Sequence, residues 1–369
     1  MRRVTGIEFR VVQILMLINI WIVGLIVYRN PKTSYFAVKQ MFKQFKNAAQ
    51  GFEISQGIYN SGRYTWDMFN PSWPSNSFNR FYKTHLREYH PIENSPSILR
   101  RILVAITKKC PLQCEHCSEW DTLNEKDHMT FEDICGHLDR FVAEGAAQLV
   151  YSGGEPLNRY SDLVKLIKRY NGNCDQWVYS SGYNLTQEKA YELASAGLNG
   201  IAISLDHQVE ELHNLFRGNQ KSFLWVKKAL EHCKEAGLLV SINSCLTKEY
   251  IKADGFDDLV NLLSGWGVPI LNIIEPRAVG HYANKEVELS ISEQQYLETK
   301  VMHYNSAKIK GVPVVLYPAM FRKGLPCGGG RSYLFLDSDG TLLPCPFCRT
   351  PITNHLEVSK KCEADKMVA

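Results

Sequence analysis

The sequence predicts an α/β fold in which a parallel sheet curls into a partial (β/α)6 barrel, with an N-terminal transmembrane helix before it and a small cysteine-bearing β-hairpin unit after it. Three observations predict it. From Ile102 onward, short β-branched or apolar runs alternate with amphipathic helical segments. An uncharged apolar run fills positions 11–28, and two groups of cysteines bracket the alternating region. The units this implies are an anchor over 1–30, an amphipathic segment and irregular linker over 31–97, the barrel over 98–312 and the C-terminal unit over 313–369.

Between Arg10 and Arg29, VVQILMLINIWIVGLIVY runs for eighteen residues without a charge. As a helix it reaches roughly 27 Å, close to the hydrocarbon thickness of a bilayer. A signal peptide or a buried helix is the alternative, and no small-x-small cleavage site follows Tyr28. Up to position 50, Arg2, Arg3, Arg10, Arg29, Lys32, Lys39, Lys43 and Lys46 stand against a single acid, Glu8. That bias suits an anionic surface and predicts a single pass with everything from Pro31 onward in the cytoplasm. YFAVKQMFKQFKNAAQGF then places Phe36, Val38, Met41, Phe42 and Phe45 among lysines, either as an interfacial helix or as one packed on the chain's own domain. From Gly51 to Ser97, Asn, Ser, Pro and aromatic residues read as a linker.

The strand runs are ILVAIT (102–107), QLVYS (148–152), QWVYS (176–180), GIAISLD (200–206), LLVSIN (238–243) and ILNIIE (270–275). Helical segments fall near 130–144, 159–170, 187–196, 222–236 and 255–264. Right-handed crossovers make consecutive parallel strands neighbours, so the six curl into part of a barrel. Ligands bind such sheets at the C-terminal ends of the strands.

The first such loop carries KKCPLQCEHC, with Cys110, Cys114 and Cys117 in C-x3-C-x2-C spacing. Three soft thiolates suit a [4Fe-4S] cubane whose fourth iron has no protein ligand, whereas zinc would need a fourth residue such as His116. The second loop is YSGGEPL, where Gly153 and Gly154 let backbone approach a ligand and Glu155 offers an acceptor to an ammonium group. With both motifs in place the chain, from about Ile98 to its C-terminus, resembles the radical S-adenosylmethionine (SAM) superfamily and its TIM-like partial barrel. The resemblance implies a [4Fe-4S] cluster held by Cys110, Cys114 and Cys117. It implies SAM bound to that cluster, and one-electron cleavage to a 5'-deoxyadenosyl radical that takes hydrogen from a substrate C–H bond. By similarity Ser204 and Arg217 hold the SAM carboxylate, beside Gly153, Gly154 and Glu155, and Asp206 reaches the ribose. Ser181 stands where many members have Asn. Glu275, Arg277 and His281, past the sixth strand, face either substrate or solvent.

The second cysteine group is Cys327, Cys345, Cys348 and Cys362. DSDG at 337–340 reads as a hairpin turn that folds Cys327 back towards Cys345. The pattern C-x12-G-x4-C from Cys327 to Cys345 resembles a twitch or SPASM module and implies one auxiliary [4Fe-4S] cluster; structural zinc is the alternative. Cys135, Cys174, Cys233 and Cys245 read as buried core thiols.

A net charge of +4 is too small to suggest nucleic acid. The reading is a membrane-anchored radical SAM enzyme with a peptide or protein substrate. A lipid or lipid-linked precursor is the second choice, and a non-catalytic iron-sulfur scaffold or redox relay the third. A low-potential electron donor such as flavodoxin or ferredoxin is the implied partner.

Overall fold

In the computed structural model, which describes residues 1–49, 51–92 and 97–353, all six expected strands are present and parallel. The chain opens with β1 (Arg2–Thr5), α1 (Gly6–Tyr28), α2 (Pro31–Ala49), β2 (Gln56–Asn60), β3 (Arg63–Thr65) and α3 (Asn76–Tyr89). The barrel follows as β4 (Arg101–Ala105), α4 (Phe131–Glu144), β5 (Gln148–Ser152), α5 (Tyr160–Tyr170), β6 (Asp175–Ser180), α6 (Gln187–Ala196) and β7 (Gly200–Ser204). It continues through α7 (Glu210–Arg217), α8 (Ser222–Glu235), β8 (Leu239–Cys245), α9 (Lys248–Lys252), α10 (Phe256–Gly265), β9 (Ile270–Ile274) and α11 (Ile291–Asn305). Last come β10 (Val314–Leu316), β11 (Tyr333–Leu336) and β12 (Leu342–Leu343).

The sheet is wider than six strands. Its order is β10-β9-β8-β7-β6-β5-β4-β11-β12, with only the β11–β12 pair antiparallel. β10 and β11, expected in a separate C-terminal unit, instead extend the two edges of the barrel. Alternate side chains divide the core as a pleated strand requires. Leu103, Val150, Trp177, Ala202, Leu239 and Ile270 form the cluster inside the barrel. Ile102, Val104, Leu149, Val178, Ile201 and Val240 pack outward under the helices.

The stretch 51–97 is not an irregular linker. Ile58 of β2 and Met68 join the interior cluster and close the barrel floor. Ser75 Oγ caps α3 by accepting from the Phe78 amide at 3.0 Å, and Phe78, Phe81, Tyr82 and Leu86 pack against Met16, Ile20 and Val23 of α1 and Ala37 and Met41 of α2. Composition concealed these elements because tertiary docking stabilises them.

α1 is long and apolar enough to cross a membrane. It also packs one face on α2 and α3. At Gly24 a Cβ would lie 2.3 Å from Ser34 Oγ, so glycine is what lets α2 approach. α2 buries Ala37 and Met41 and exposes Lys39, Lys43 and Lys46, so it packs on the chain's own domain. Between α1, α2, α3 and the barrel floor lies a cavity of about 940 Å3, lined by residues such as Phe9, Met41, Phe52, Tyr82 and Arg100.

At the start of β6, the buried Asp175 carboxylate accepts from Gln148 Nε2 and Trp177 Nε1, both at 2.9 Å. Burial outweighs these bonds and pushes its pKa up to about 6. The folded state therefore holds a proton that the unfolded chain has released, and stability falls as pH rises from about 4 through 6, by about 3 kcal/mol. Asp175→Asn is expected to flatten unfolding midpoints across that window without changing iron content. An unchanged pH profile would show that Asp175 does not set it.

Candidate active site

Past the end of β4 the backbone enters the cysteine loop, which is held from three sides. Asp127 accepts from Thr107 Oγ1 at 2.8 Å and from the Lys108 amide at 2.7 Å. Asn124, at φ 67°, accepts from the Cys110 amide at 2.9 Å. At the end of α7, the carbonyls of Phe216 and Arg217 accept from the Glu115 and Gln113 amides at 3.0 and 3.2 Å. After β9, the His281 amide donates to Cys117 O at 3.0 Å and its Nδ1 lies 3.1 Å from Cys114 O, with the ring stacked on Trp120 at 3.8 Å. His281 thus supports the cysteine loop. Asn124, Asp127 and Trp120 went unnoticed in the sequence because a short polar run reads as a solvated loop.

Gly153, at φ 136°, and Gly154 do permit a close approach, and it is to this same loop. A Cβ on Gly153 would lie 2.3 Å from Thr107 O, and one on Gly154 would lie 2.5 Å from Lys109 O. The Gly154 amide donates to Thr107 O at 2.7 Å and the Glu155 amide to Lys109 O at 2.8 Å. The two glycines lock the loop after β5 onto the cysteine loop.

Glu155 is 1% exposed. One carboxylate oxygen accepts from Ser180 Oγ (2.8 Å) and the Leu157 amide (3.2 Å), the other from the Ser181 amide (2.8 Å) and Ser181 Oγ (2.6 Å). Burial raises its pKa and these donors oppose the rise. These four contacts tie the loop after β5 to the end of β6. Glu155→Gln sets an amide NH2 against at least one of these donors. It should cost about 1–3 kcal/mol of stability, read by thermal unfolding, with iron retained and SAM affinity lowered. Unchanged stability would remove that role.

Arg217 is buried, with Nε 2.6 Å from Asp206 Oδ2 and Nη1 3.6 Å from Cys114 Sγ. The other Asp206 oxygen accepts from the Cys245 amide at 2.9 Å. Burial would raise the Asp206 pKa, and the Arg217 guanidinium outweighs it and holds the carboxyl below its ordinary value. In this structure Asp206 makes the ion pair and the Cys245 contact, one donor on each oxygen. Ser204 stands apart from the pair, in register with Asn243, which is in register with Asn272. Asn272 Nδ2 donates to Asn243 Oδ1 at 2.9 Å, while the buried Asn272 Oδ1 has no protein donor. This polar row inside the barrel was hidden in two apolar runs.

Cys114 is buried, and Cys110 and Cys117 are half-buried. Burial pushes the thiols of Cys110 and Cys117 up to about 12 and raises Cys114, against which Arg217 acts. Neutral thiols persist until a metal displaces their protons. Among the described residues, no three His, Cys, Asp or Glu side chains gather around a single ion. A cubane does not require that, since three cysteines bind three different irons, so the donor set and its partly open mouth fit a [4Fe-4S] cluster. His116 stacks on Phe216 at 4.9 Å, and burial lowers its pKa to about 4.

In the second group, Cys345 and Cys348 bridge across a tight turn, with the Cys348 amide 3.2 Å from Cys345 O. A Cβ on Gly329 would lie 3.4 Å from Cys327 Sγ and 3.2 Å from Pro344 O, so the hairpin returns Cys327 to Cys345. Cys362 lies outside the described residues. Arg349 joins the two cysteine regions, donating to Ser118 O and Glu119 on one side and to Asp337 at 3.2 Å on the other. Glu275 is buried and accepts from Arg277 (2.6 Å), Arg322 (2.9 Å) and Tyr317 Oη, an internal ion-pair cluster.

Residues 104–261 match the family model described as Radical SAM superfamily. The AdoMet-dependent heme synthase of Oleidesulfovibrio alaskensis is 26% identical over 284 residues, which is 69% of this chain and 72% of that one. The fold is shared with Streptococcus suis SuiB bound to its precursor peptide SuiA, at TM-score 0.59 and 15% identity over 88% of this chain and 75% of that one. It is shared also with native anSMEcpe with bound AdoMet and Cp18Cys peptide, at TM-score 0.53 and 18% identity over 71% of this chain and 78% of that one. From β4 into α10 the chain therefore carries a radical SAM domain, and it is a SAM-dependent iron-sulfur enzyme.

Proposed function

We propose that this enzyme is held at a membrane, cleaves SAM reductively and takes a hydrogen atom from a C–H bond of a peptide or protein. One observation carries the chemistry: a three-cysteine loop at the C-terminal mouth of a parallel barrel, locked by Gly153 and Gly154. Cys110, Cys114 and Cys117 would hold the [4Fe-4S] cluster, which supplies the electron that cleaves SAM. The chain's own part is positional. Asn124, Asp127 and His281 fix the loop, Arg217 places a positive charge beside Cys114, and Ser204 with Asn243 and Asn272 offers hydrogen bonds inside the mouth. Cys327, Cys345 and Cys348, with Cys362, would hold one auxiliary cluster.

A peptide substrate draws support from SuiB, solved with a precursor peptide, and from anSMEcpe, solved with a peptide. A lipid or lipid-linked substrate is the second reading, favoured by the exposed apolar side of α1. The cavity under α1 lies at the N-terminal strand ends and is lined in part by Cys327, Arg331 and Ser332.

The test uses reconstituted enzyme with dithionite, SAM and either peptide or lipid fractions from cells lacking the protein. Peptide fractions should accelerate 5'-deoxyadenosine formation, with a matching mass change in one peptide. Acceleration by lipids alone would replace the first reading with the second, and no 5'-deoxyadenosine under any condition would remove both.

A further inference from the structure

The outer side of α1 is a continuous apolar surface. Ile7, Val11, Ile14, Ile18, Ile22 and Ile26 recur at helical spacing and are all exposed, Ile7 at 84%, Ile14 at 57% and Ile26 at 68%. Trp21 lies on the same side. α2 packs alongside and turns Lys32, Lys39, Lys43 and Lys46 to the outside, and Arg10 and Arg29 lie towards the two ends of α1. No acidic residue occurs between Glu8 and Glu53.

Both ends of this helix are tied to the same body. Before it, β1 pairs antiparallel with β2, Arg2 opposite Tyr59 and Thr5 opposite Gln56. The Arg3 guanidinium donates to the carbonyls of Val312 and Val268, beside β10 and β9 of the barrel. At the other end, Tyr28 Oη donates to Leu86 O at 2.6 Å, and Ser34 Oγ to Trp21 O at 2.9 Å. A helix crossing a bilayer would carry β1 to the far side, breaking its pairing with β2 and the Arg3 contacts.

We infer that α1 does not cross the membrane but lies flat in the face of an anionic bilayer, its isoleucine stripe among the acyl chains and the α2 lysines at the phosphates. Apolar burial and cationic attraction together give lasting peripheral attachment where either alone is weak. The charge pattern selects lipid over a second copy of this chain, since a two-fold contact would set six cations against six with no acid between them. This inference rests on the membrane part of the proposed function and is independent of the substrate.

The full chain, carrying an epitope tag before Met1, is synthesised in a cell-free system with preformed vesicles of phosphatidylglycerol and phosphatidylcholine, then floated and treated with protease from outside. The expected result is flotation with the tag and the barrel both cut. A protected tag with an accessible barrel would mean that α1 spans, overturning the flat docking while leaving membrane attachment intact. A full-length chain that stays at the bottom of the gradient would overturn both. Ile14→Glu/Ile18→Glu should lower vesicle binding by roughly tenfold or more with 5'-deoxyadenosine formation retained. Lys39→Glu/Lys43→Glu, on exposed positions that perturb no packing, should abolish the preference for phosphatidylglycerol over phosphatidylcholine alone. A charge-reversed chain with undiminished preference would equally overturn the inference.

Discussion

Replacing Cys110, Cys114 and Cys117 together by alanine is expected to lower reconstituted iron from about eight to about four per chain and to abolish reductive SAM cleavage. The two cysteine groups lie on opposite sides of the barrel sequence, so loss of one leaves the other its ligands. Loop backbone contacts to Asn124, Arg217 and His281 use main-chain atoms of the cysteines and their neighbours, so the substitutions remove sulfur while leaving the loop's frame. The reciprocal variant, Cys345→Ala/Cys348→Ala, should lose the other half of the iron and keep the spectrum of the SAM-cleaving cluster. Iron and sulfide analysis with Mössbauer spectra reads both. Full iron in the triple variant, or zinc in place of iron at Cys345 and Cys348, would sink the assignment for that group.

Arg217→Met is expected to destabilise the fold by about 3–5 kcal/mol, because it leaves the Asp206 carboxylate buried without its cation. The pair is a structural node. Asp206 holds the Cys245 amide of β8 as well as Arg217, and the Arg217 carbonyl holds the Gln113 amide of the cysteine loop. Asp206→Asn combined with Arg217→Met should recover much of that loss, since no lone charge remains. Denaturant unfolding of single and double variants measures the coupling. If Arg217 instead acts by holding the SAM carboxylate, Arg217→Lys should weaken SAM binding with stability unchanged, and the single and double methionine variants should be equally stable.

The barrel was legible because parallel strands buried on both faces read as unbroken apolar runs such as ILVAIT and GIAISLD, punctuated by helices with their own period. The cysteine loop and the Gly-Gly turn were legible because spacing within one loop is local. Partners contributed from elsewhere were not. Nothing near Glu155 in sequence shows its bonds to Ser180 and Ser181, at the end of the next strand. The Asp206–Arg217 ion pair was hidden for the same reason. β11 beside β4 could not be foreseen from pattern, since strand order is set by long-range pairing. The apolar spacing of Phe78, Phe81, Tyr82 and Leu86 was present, but Asn, Ser and Pro around it made the stretch read as a linker.

The contacts of Arg3 with Val268 and Val312 also set a timetable for synthesis. α1 leaves the ribosome before α3, against which it packs and which follows within about a hundred residues; the carbonyls that fix β1 come 265 and 309 residues after Arg3. At roughly 5–20 residues per second, the isoleucine stripe precedes its finished platform by tens of seconds. During that interval the stripe is exposed before its platform exists, so on the proposed membrane docking, translation beside a bilayer would seat the helix before the barrel closes.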